Sequence, residues 1–508
     1  MKDESHAITR AMRASSVMGS LRVASHTVVA LITYPLIIRD DGVAVLGVWV
    51  LLQLVIGYGN LTTLGMGTLI TKAIADTGTA PVREALGGAV YILSLLSTLI
   101  LIAGPSFAEV LSRDLTEPLS KSVLWFVALG VALRLWAALY AAVLAGHQRT
   151  HLVQLSESVQ ALSFFAAFLA LRSHSPSLAA LGPAYAAGYA IQLAFVTFML
   201  ARVDPPILTA LPALRLASLI GLWRGVRQFL LMDITLLGRE PLMRYAVYLC
   251  CGSKMMGVFE LANRIPATVR QTFVLGLSAL MPAVARLHTS GARIQLVAVA
   301  TSTLRYAVIV AGGALLLYGI NASWVFHVWV GEVDPQLIRL SAILTVWWMV
   351  TTLNVPAWWM GIGLGAARSN VLIVGTHFLA TGLLAGVAAL RRFDLLTLTI
   401  VWVLAGLAMQ ALLYVVLERK TGLIRPVYFS RSARRTGTAF VGLAGLSIVC
   451  ALLLRRASVP APLILVATTV LYALGAYSTI SELVRFGRDE HDADAAAPRV
   501  PREEETGL

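Results

Sequence analysis

Between Trp223 and His288 seven ionisable side chains, Asp233, Arg239, Glu240, Arg244, Glu260, Arg264 and Arg270, sit inside two otherwise apolar stretches of membrane-spanning length. Guanidinium and carboxylate groups gathered in a low-dielectric setting can bind an oxyanion, neutralise one another, or carry a coupling proton. A charge at the bilayer centre costs roughly 2.5–3.5 kcal/mol on insertion scales, so seven facing lipid would cost about 20 kcal/mol. These groups must face protein or a water-filled cavity.

Their spacing says the same. At 100° per residue from Glu260, the side chains of Asn263, Arg264, Thr268, Arg270, Gln271 and Ser278 share one arc of about 160°, and Leu261, Ile265, Val269, Phe273 and Leu280 fall outside it. On the preceding helix Asp233, Glu240 and Arg244 share a face. Glu240 with Arg244, and Glu260 with Arg264, stand one turn apart as expected ion pairs.

Other apolar segments carry Arg22, Arg134, Arg305 and Glu157. Depth within the spans places Arg134, Arg239, Arg270 and Arg305 near the midplane and Arg22 in the cytoplasmic half of the first span. Arg134, Arg270 and Arg305 have no acid at i±3 or i±4, so local pairing cannot neutralise them. Seven embedded arginines against four acids favour an anionic cargo, because guanidinium stays charged and its donor fork matches phosphate oxygens. The expected binding residues are Arg22, Arg134, Arg239, Arg270 and Arg305. Glu157, Asp233, Glu240 and Glu260 are expected as counter-charges, one of which could carry a coupling proton. His26 and His377 read as packed helix residues.

The elements that position these groups follow from composition. A chain of 508 residues that is 58% hydrophobic and 13% charged, with mean hydropathy +0.79, lies outside the range of soluble globular proteins. The net charge of +14 comes without a basic stripe interleaved with aromatics, so it reports membrane topology and not nucleic-acid binding. The three cysteines, Cys250, Cys251 and Cys450, have no metal or disulfide spacing, no H-E-x-x-H is present, and no cofactor, metal or catalytic residue is assigned. The charged N-terminal stretch leads into a span too long for a signal-peptide core and is expected to stay as the first transmembrane helix.

Apolar runs lie near 15–38, 44–70, 85–105, 121–145, 151–172 and 178–201, then 224–248, 255–284, 295–320, 337–362, 369–390, 395–417, 436–454 and 461–484. Loop Lys and Arg number 23 on the N-terminal side and 10 on the other, so both termini are expected in the cytoplasm. Pro205, Pro206 and Pro212 mark residues 202–223 as a cytoplasmic linker with a short interfacial helix. The mixed-charge residues 485–508 are expected to be a disordered cytoplasmic tail.

The two halves look duplicated. Gly47-Val48-Trp49 opens span 2, with Leu64-Gly65 after it, and Gly257-Val258-Phe259 opens span 8, with Leu275-Gly276 after it. Gly146 to Arg149 ends span 4 and Gly365 to Arg368 ends span 10. Six spans per copy give parallel repeats with a cavity between them. The expected fold is an all-α polytopic membrane protein of about 14 transmembrane helices. Two six-helix lobes, 1–201 and 224–418, surround a central cavity, and 436–484 add two C-terminal helices.

Two patterns carry less. Gly57-Tyr58-Gly59 has the core residues of a potassium filter but sits inside a continuous span, where its glycines serve packing. Trp347, Trp348, Trp358 and Trp359 read as core packing or an aromatic belt before they read as sugar-stacking platforms.

The pattern of span 1, Arg39-Asp40-Asp41, Gly47-Val48-Trp49, Leu64-Gly65 and Lys72 resembles the start of polysaccharide (O-antigen/exopolysaccharide) flippases of the multidrug/oligosaccharidyl-lipid/polysaccharide exporter superfamily. Gly257 to Arg264, ending in Met281-Pro282-Ala283-Val284-Ala285-Arg286, is similar to the family's second-half signature, and Gly146 to Arg149 also fits. The resemblance implies a flippase, not an enzyme, of the bacterial inner membrane. It would turn an undecaprenyl-diphosphate-linked oligosaccharide from the cytoplasmic to the periplasmic leaflet by alternating access, driven by protons or sodium. Partners implied are that saccharide, membrane lipids and the polysaccharide polymerase and chain-length machinery.

Three alternatives stay open. A multidrug exporter of the same superfamily should have an acid-dominated cavity. A peptidoglycan lipid-precursor flippase carries a similar lipid diphosphate. A membrane glycan ligase or polymerase needs sizeable external loops, and the longest here, about residues 105–120, is short.

Overall fold

The structure is a computed structural model that describes residues 2–63, 67, 70–71, 73–74, 83–111, 121–205, 216–276, 284, 287–331, 334–391 and 393–477. Regular structure among them is helical throughout. The first lobe comprises α1 (Lys2–Asp41), α2 (Val43–Thr63), α3 (Arg83–Leu111), α4 (Lys121–Gly146), α5 (Thr150–Arg172) and α6 (Ser177–Val203). A helical stretch Leu216–Gly276 follows and breaks at Gly252 (φ +81°) into α7 (216–251) and α8 (253–276). Next come α9 (Arg293–Val330), α10 (Pro335–Gly363), α11 (Ala367–Arg391) and α12 (Leu395–Thr421), then α13 (Arg431–Arg456) and α14 (Ala461–Tyr477). Each of the fourteen expected spans has its helix, and ten of these helices, among the described residues, are long and apolar enough to cross a membrane.

Local chemistry sets several boundaries. Asp394 caps α12 by accepting from Leu396 N (3.2 Å) and Thr397 N (3.4 Å), and Asp334 caps α10 by accepting from Gln336 N (2.8 Å). Other boundaries depart from expectation. Helix α7 begins at Leu216, so 216–223 of the expected linker is helical, and the expected interfacial helix falls on 206–215, outside the described residues. Helix α10 breaks at Asn354, and a single helical turn, Ile424–Tyr428, separates α12 from α13. Helix α9 contains a π-helical turn, Ala307–Gly312. Leu64-Gly65, Lys72, residues 281–283 and 285–286 and the tail 485–508 also lie outside the described residues.

Aromatic cores hold each lobe. In the first, Trp49 stacks on Phe164 at 6.1 Å and meets Tyr185 edge-on at 6.0 Å. In the second, Trp347 and Trp348 are buried, Trp347 packs on Trp402 at 5.1 Å, and Trp348 Nε1 donates to Asn263 Oδ1 (2.7 Å). These tryptophans are core packing. Gly57-Tyr58-Gly59 is part of helix α2.

The lobes meet where α1 ends and α2 begins. The repeat-related glycines meet each other there: a Cβ on Gly47 would lie 1.9 Å from Ser253 O and 2.9 Å from Gly257 N, and one on Gly257 would lie 2.2 Å from Val43 O. Only residues without side chains allow α2 and α8 to cross so closely. Beside this crossing, Trp329 Nε1 donates to Leu31 O (2.7 Å). That carbonyl would otherwise accept from residue 35 of the same helix, which is Pro35 and has no N–H.

The second repeat correspondence survives in shifted register. The turn after α4 has Gln148 at φ +59°, with Gln148 N donating to Ala145 O and Arg149 N to Leu144 O. The turn after α10 has Gly365 at φ +77°, with Gly365 N donating to Ile362 O and Ala366 N to Gly361 O. The left-handed residue is the true equivalent, so Gly365 corresponds to Gln148 and not to Gly146.

Candidate functional site: a cationic cavity between the lobes

A cavity of about 510 Å³ lies between the lobes. The first lobe presents His26, Thr33 and Tyr34 from α1, Gln53 from α2, Arg134 from α4, Gln160 from α5 and Tyr185 and Tyr189 from α6. The second presents Arg244 from α7 and Glu260, Arg264 and Gln271 from α8. The α1 contribution is a helical stripe, 26, 29, 30 and 33, on the side that carries Arg22 one turn earlier.

Charge is arranged unevenly around it. Glu260 is buried and serves three partners: Arg244 Nε donates to it at 2.9 Å, the Tyr34 hydroxyl donates at 3.3 Å, and Arg264 Nη1 lies 3.9 Å away. The Arg264 guanidinium lies over the Tyr34 ring, 5.4 Å from its centre. Tyr34 therefore ties α1 to α8 across the lobe boundary, and its ring also stacks on Trp329 at 6.4 Å. Arg134 lies 5.5 Å from the Tyr189 ring centre, and among the described residues no carboxylate is within ion-pair distance of it. Among the described residues, the lining thus sets Arg134, Arg244 and Arg264 against one carboxylate, Glu260. Such a surface holds an anion with charge-assisted hydrogen bonds.

Of the residues expected at the site, Arg134 and Glu260 line the cavity. Arg22 pairs with Glu157 (2.7 Å) within the first lobe, next to the His26 end of the lining. Arg239 is buried in the second lobe, its guanidinium 5.4 Å from the Trp347 ring centre and 3.5 Å from His377 Nδ1. Arginine only donates, so Nδ1 is the acceptor in this contact. Glu240 lies 3.8 Å from both Arg239 and Arg244. The Arg270 guanidinium is 5.2 Å from the Trp348 ring centre, and Arg270 is not among the lining residues although Gln271 is. Arg305 faces α13, where its Nε donates to Thr436 Oγ1 (2.9 Å) beside a separate pocket with Tyr414 and Tyr428. The side chain of Asp233 lies outside the described residues.

The structure groups the charges differently from their spacing. Arg244 and Arg264, each with an acid one turn away, face the cavity, and Arg239 and Arg305 contact other partners. The expected i,i+4 contacts are long, 3.8 Å for Arg244–Glu240 and 3.9 Å for Arg264–Glu260, and the short pair joins Arg244 to Glu260 across the Gly252 break. His26 lines the cavity, whereas His377 is packed between Trp347 and Trp402. The lining residues Tyr34, Gln53, Gln160, Tyr185 and Tyr189 carry no spacing or motif that marks them in the sequence.

No protein-family model matches the chain, and no curated protein matches it in sequence. Solved structures do match. The lipid II flippase MurJ in an inward closed conformation aligns with a TM-score of 0.63 at 8% identity, covering 94% of this chain and 99% of that one. An inward-facing multidrug resistance MATE family transporter of the MOP superfamily aligns at 0.61 and 15% identity, covering 80% and 99%. A MOP superfamily transporter from Pyrococcus furiosus, noted for reverse polarity of its binding pocket, aligns at 0.57 and 13% identity, covering 82% and 96%. The chain has the fold of MOP-superfamily transporters, a multi-pass helical membrane architecture built as two lobes around a cavity.

Proposed function

We propose that this protein is a flippase that moves an undecaprenyl-diphosphate-linked oligosaccharide from the cytoplasmic to the periplasmic leaflet of the bacterial inner membrane by alternating access. The observation that carries the reading is the inter-lobe cavity lined by Arg134, Arg244 and Arg264, with Glu260 as its single carboxylate among the described residues. A diphosphate suits this lining because guanidinium offers paired donors that remain charged at any working pH. A multidrug exporter moving organic cations would meet net repulsion there.

The loop-charge bias puts the end where Gly47 meets Gly257 in the periplasm and both termini in the cytoplasm. The lobes are thus joined on the periplasmic side, the arrangement in which a transporter takes cargo from the inner leaflet. Opening would part that contact while the cytoplasmic ends close, and protons or sodium are the expected driving ions. A polysaccharide polymerase and chain-length machinery would receive the product.

A second reading, a flippase for the peptidoglycan lipid precursor, is favoured by the alignment with the lipid II flippase over 94% of the chain. Deleting the gene separates the two. Accumulation of a lipid-linked oligosaccharide in the cytoplasmic leaflet supports the first, accumulation of peptidoglycan precursor supports the second, and drug sensitivity without either overturns both.

A further inference from the structure

A second cavity, of about 410 Å³, lies within the second lobe between the start of α9 and the ends of α10 and α12. It is lined by His288, Arg293 and Lys420 with leucines beneath, and by the loop-charge bias it opens on the cytoplasmic face. The Arg293 guanidinium is held in place, because one Nη2 donates to Gly422 O (3.3 Å), the left-handed cap of α12, leaving its other donors available. Lys420 has no carboxylate within ion-pair distance among the described residues. The one acid nearby in sequence, Glu418, is already engaged by Arg425, at 3.6 Å through Nε and at 2.9 Å through its backbone N–H. Helix α9 also begins at this cavity without a side-chain cap, its first turn adding partial positive charge to that of the side chains.

The surroundings indicate where the ligand comes from. Ile294, next to the lining residue Arg293, is 87% exposed. An apolar side chain left bare beside a basic pocket at the cytoplasmic end of a span fits the depth at which chain meets headgroup in a bilayer. The central cavity uses Arg134, Arg244, Glu260 and Arg264, so the two cavities share no residue.

We propose that the His288–Arg293–Lys420 cavity is a separate binding site for a phosphate oxyanion, of the kind carried by an anionic phospholipid headgroup on the cytoplasmic leaflet. The site does not depend on what the central cavity transports.

The test uses the purified full-length chain in nanodiscs of phosphatidylcholine, titrated with phosphatidylglycerol or, in a parallel arm, with inorganic phosphate, and read by retained lipid in native mass spectrometry and by thermal stabilisation. Each basic side chain near a headgroup contributes enough that Lys420→Gln should weaken binding about fivefold and Arg293→Gln with Lys420→Gln about thirtyfold, with Arg339→Gln at the opposite membrane face as the unaffected control. Lys420→Gln alters no hydrogen bond described above, so it answers the question even if Arg293→Gln fails to fold. Saturable phosphatidylglycerol binding lost in the variants supports the site with a lipid source. Stabilisation by inorganic phosphate alone, lost in the same variants, supports it with a soluble source. Unsaturable binding, or binding that Lys420→Gln leaves unchanged, overturns it.

Discussion

Gly47 offers the sharpest perturbation of the lobe contact. A methyl group there would stand 1.9 Å from Ser253 O, whereas a carbon–oxygen contact needs about 3.3 Å, so α2 and α8 would have to part by about 1.4 Å. The obstacle is backbone and cannot rotate away. Overpacking of this kind costs about 1–3 kcal/mol, and because the cost falls only on the state in which this end is closed, it shifts the conformational equilibrium about 5- to 150-fold toward opening. The assay places a cysteine at the cavity position Gln53, in a background lacking Cys250, Cys251 and Cys450, and measures labelling by a charged maleimide that cannot cross the membrane. Gly47→Ala should raise labelling from the periplasmic side and lower it from the cytoplasmic side. Gly257→Ala should do the same, and the double variant should fall well short of the summed effects, because the first methyl already separates the helices that the second would separate. Unchanged labelling in both single variants would refute the close crossing, and additive effects would refute the claim that the two glycines form one contact.

Three further outcomes follow from named contacts. Glu260→Gln removes the carboxylate shared by Arg244 and Arg264 and should cost about 3 kcal/mol, seen as a lower melting temperature in detergent, with Arg244→Gln added to it recovering part of the loss; a double variant no more stable than the single one argues against the pairing. Arg134→Ala should abolish flipping in proteoliposomes at near-normal stability, and Arg239→Ala should destabilise the second lobe; transport by Arg134→Ala at the normal rate would remove it from the site. Hydrogen bonds from Thr397 and then Leu396 hold the Asp394 carboxyl below its usual range, so the α12 cap is at full strength above about pH 4 and weakens as pH falls through the lowered value; Asp394→Ala should cost about 1 kcal/mol at neutral pH and less in strong acid, checked by unfolding at both.

Span number and order were legible because hydropathy over twenty residues is a one-dimensional signal, and helix geometry leaves little freedom in how such segments stand in a bilayer. Partners were not. Helical spacing sets Glu260 and Arg264 on one polar arc, but an arc gives a direction and not a neighbour. Pairing by i,i+4 favoured Arg244–Glu240, whereas the break at Gly252 folds α7 against α8 and lets Arg244 reach Glu260 sixteen positions away. Arg305 misled for a related reason. Its depth was read from its place in the span, while its direction depends on the π-helical turn that follows it and on α13 packed alongside. Gly47 and Gly257 were seen as copies of each other, and only the structure brings the copies into contact.

In the proposed alternating-access cycle, the proline in α1 sets a requirement for water. In the closed arrangement the Leu31 carbonyl, deprived by Pro35 of its helical donor, accepts from the Trp329 indole across the lobe boundary. Separation of the lobes at this end would withdraw the indole, and Pro35 has no N–H to put in its place. A solvent molecule must then hydrate the carbonyl, because leaving it bare costs about 1–3 kcal/mol. Opening is thereby an uptake of water at one defined atom, and osmolytes that lower water activity without entering the cavity should hold the protein shut.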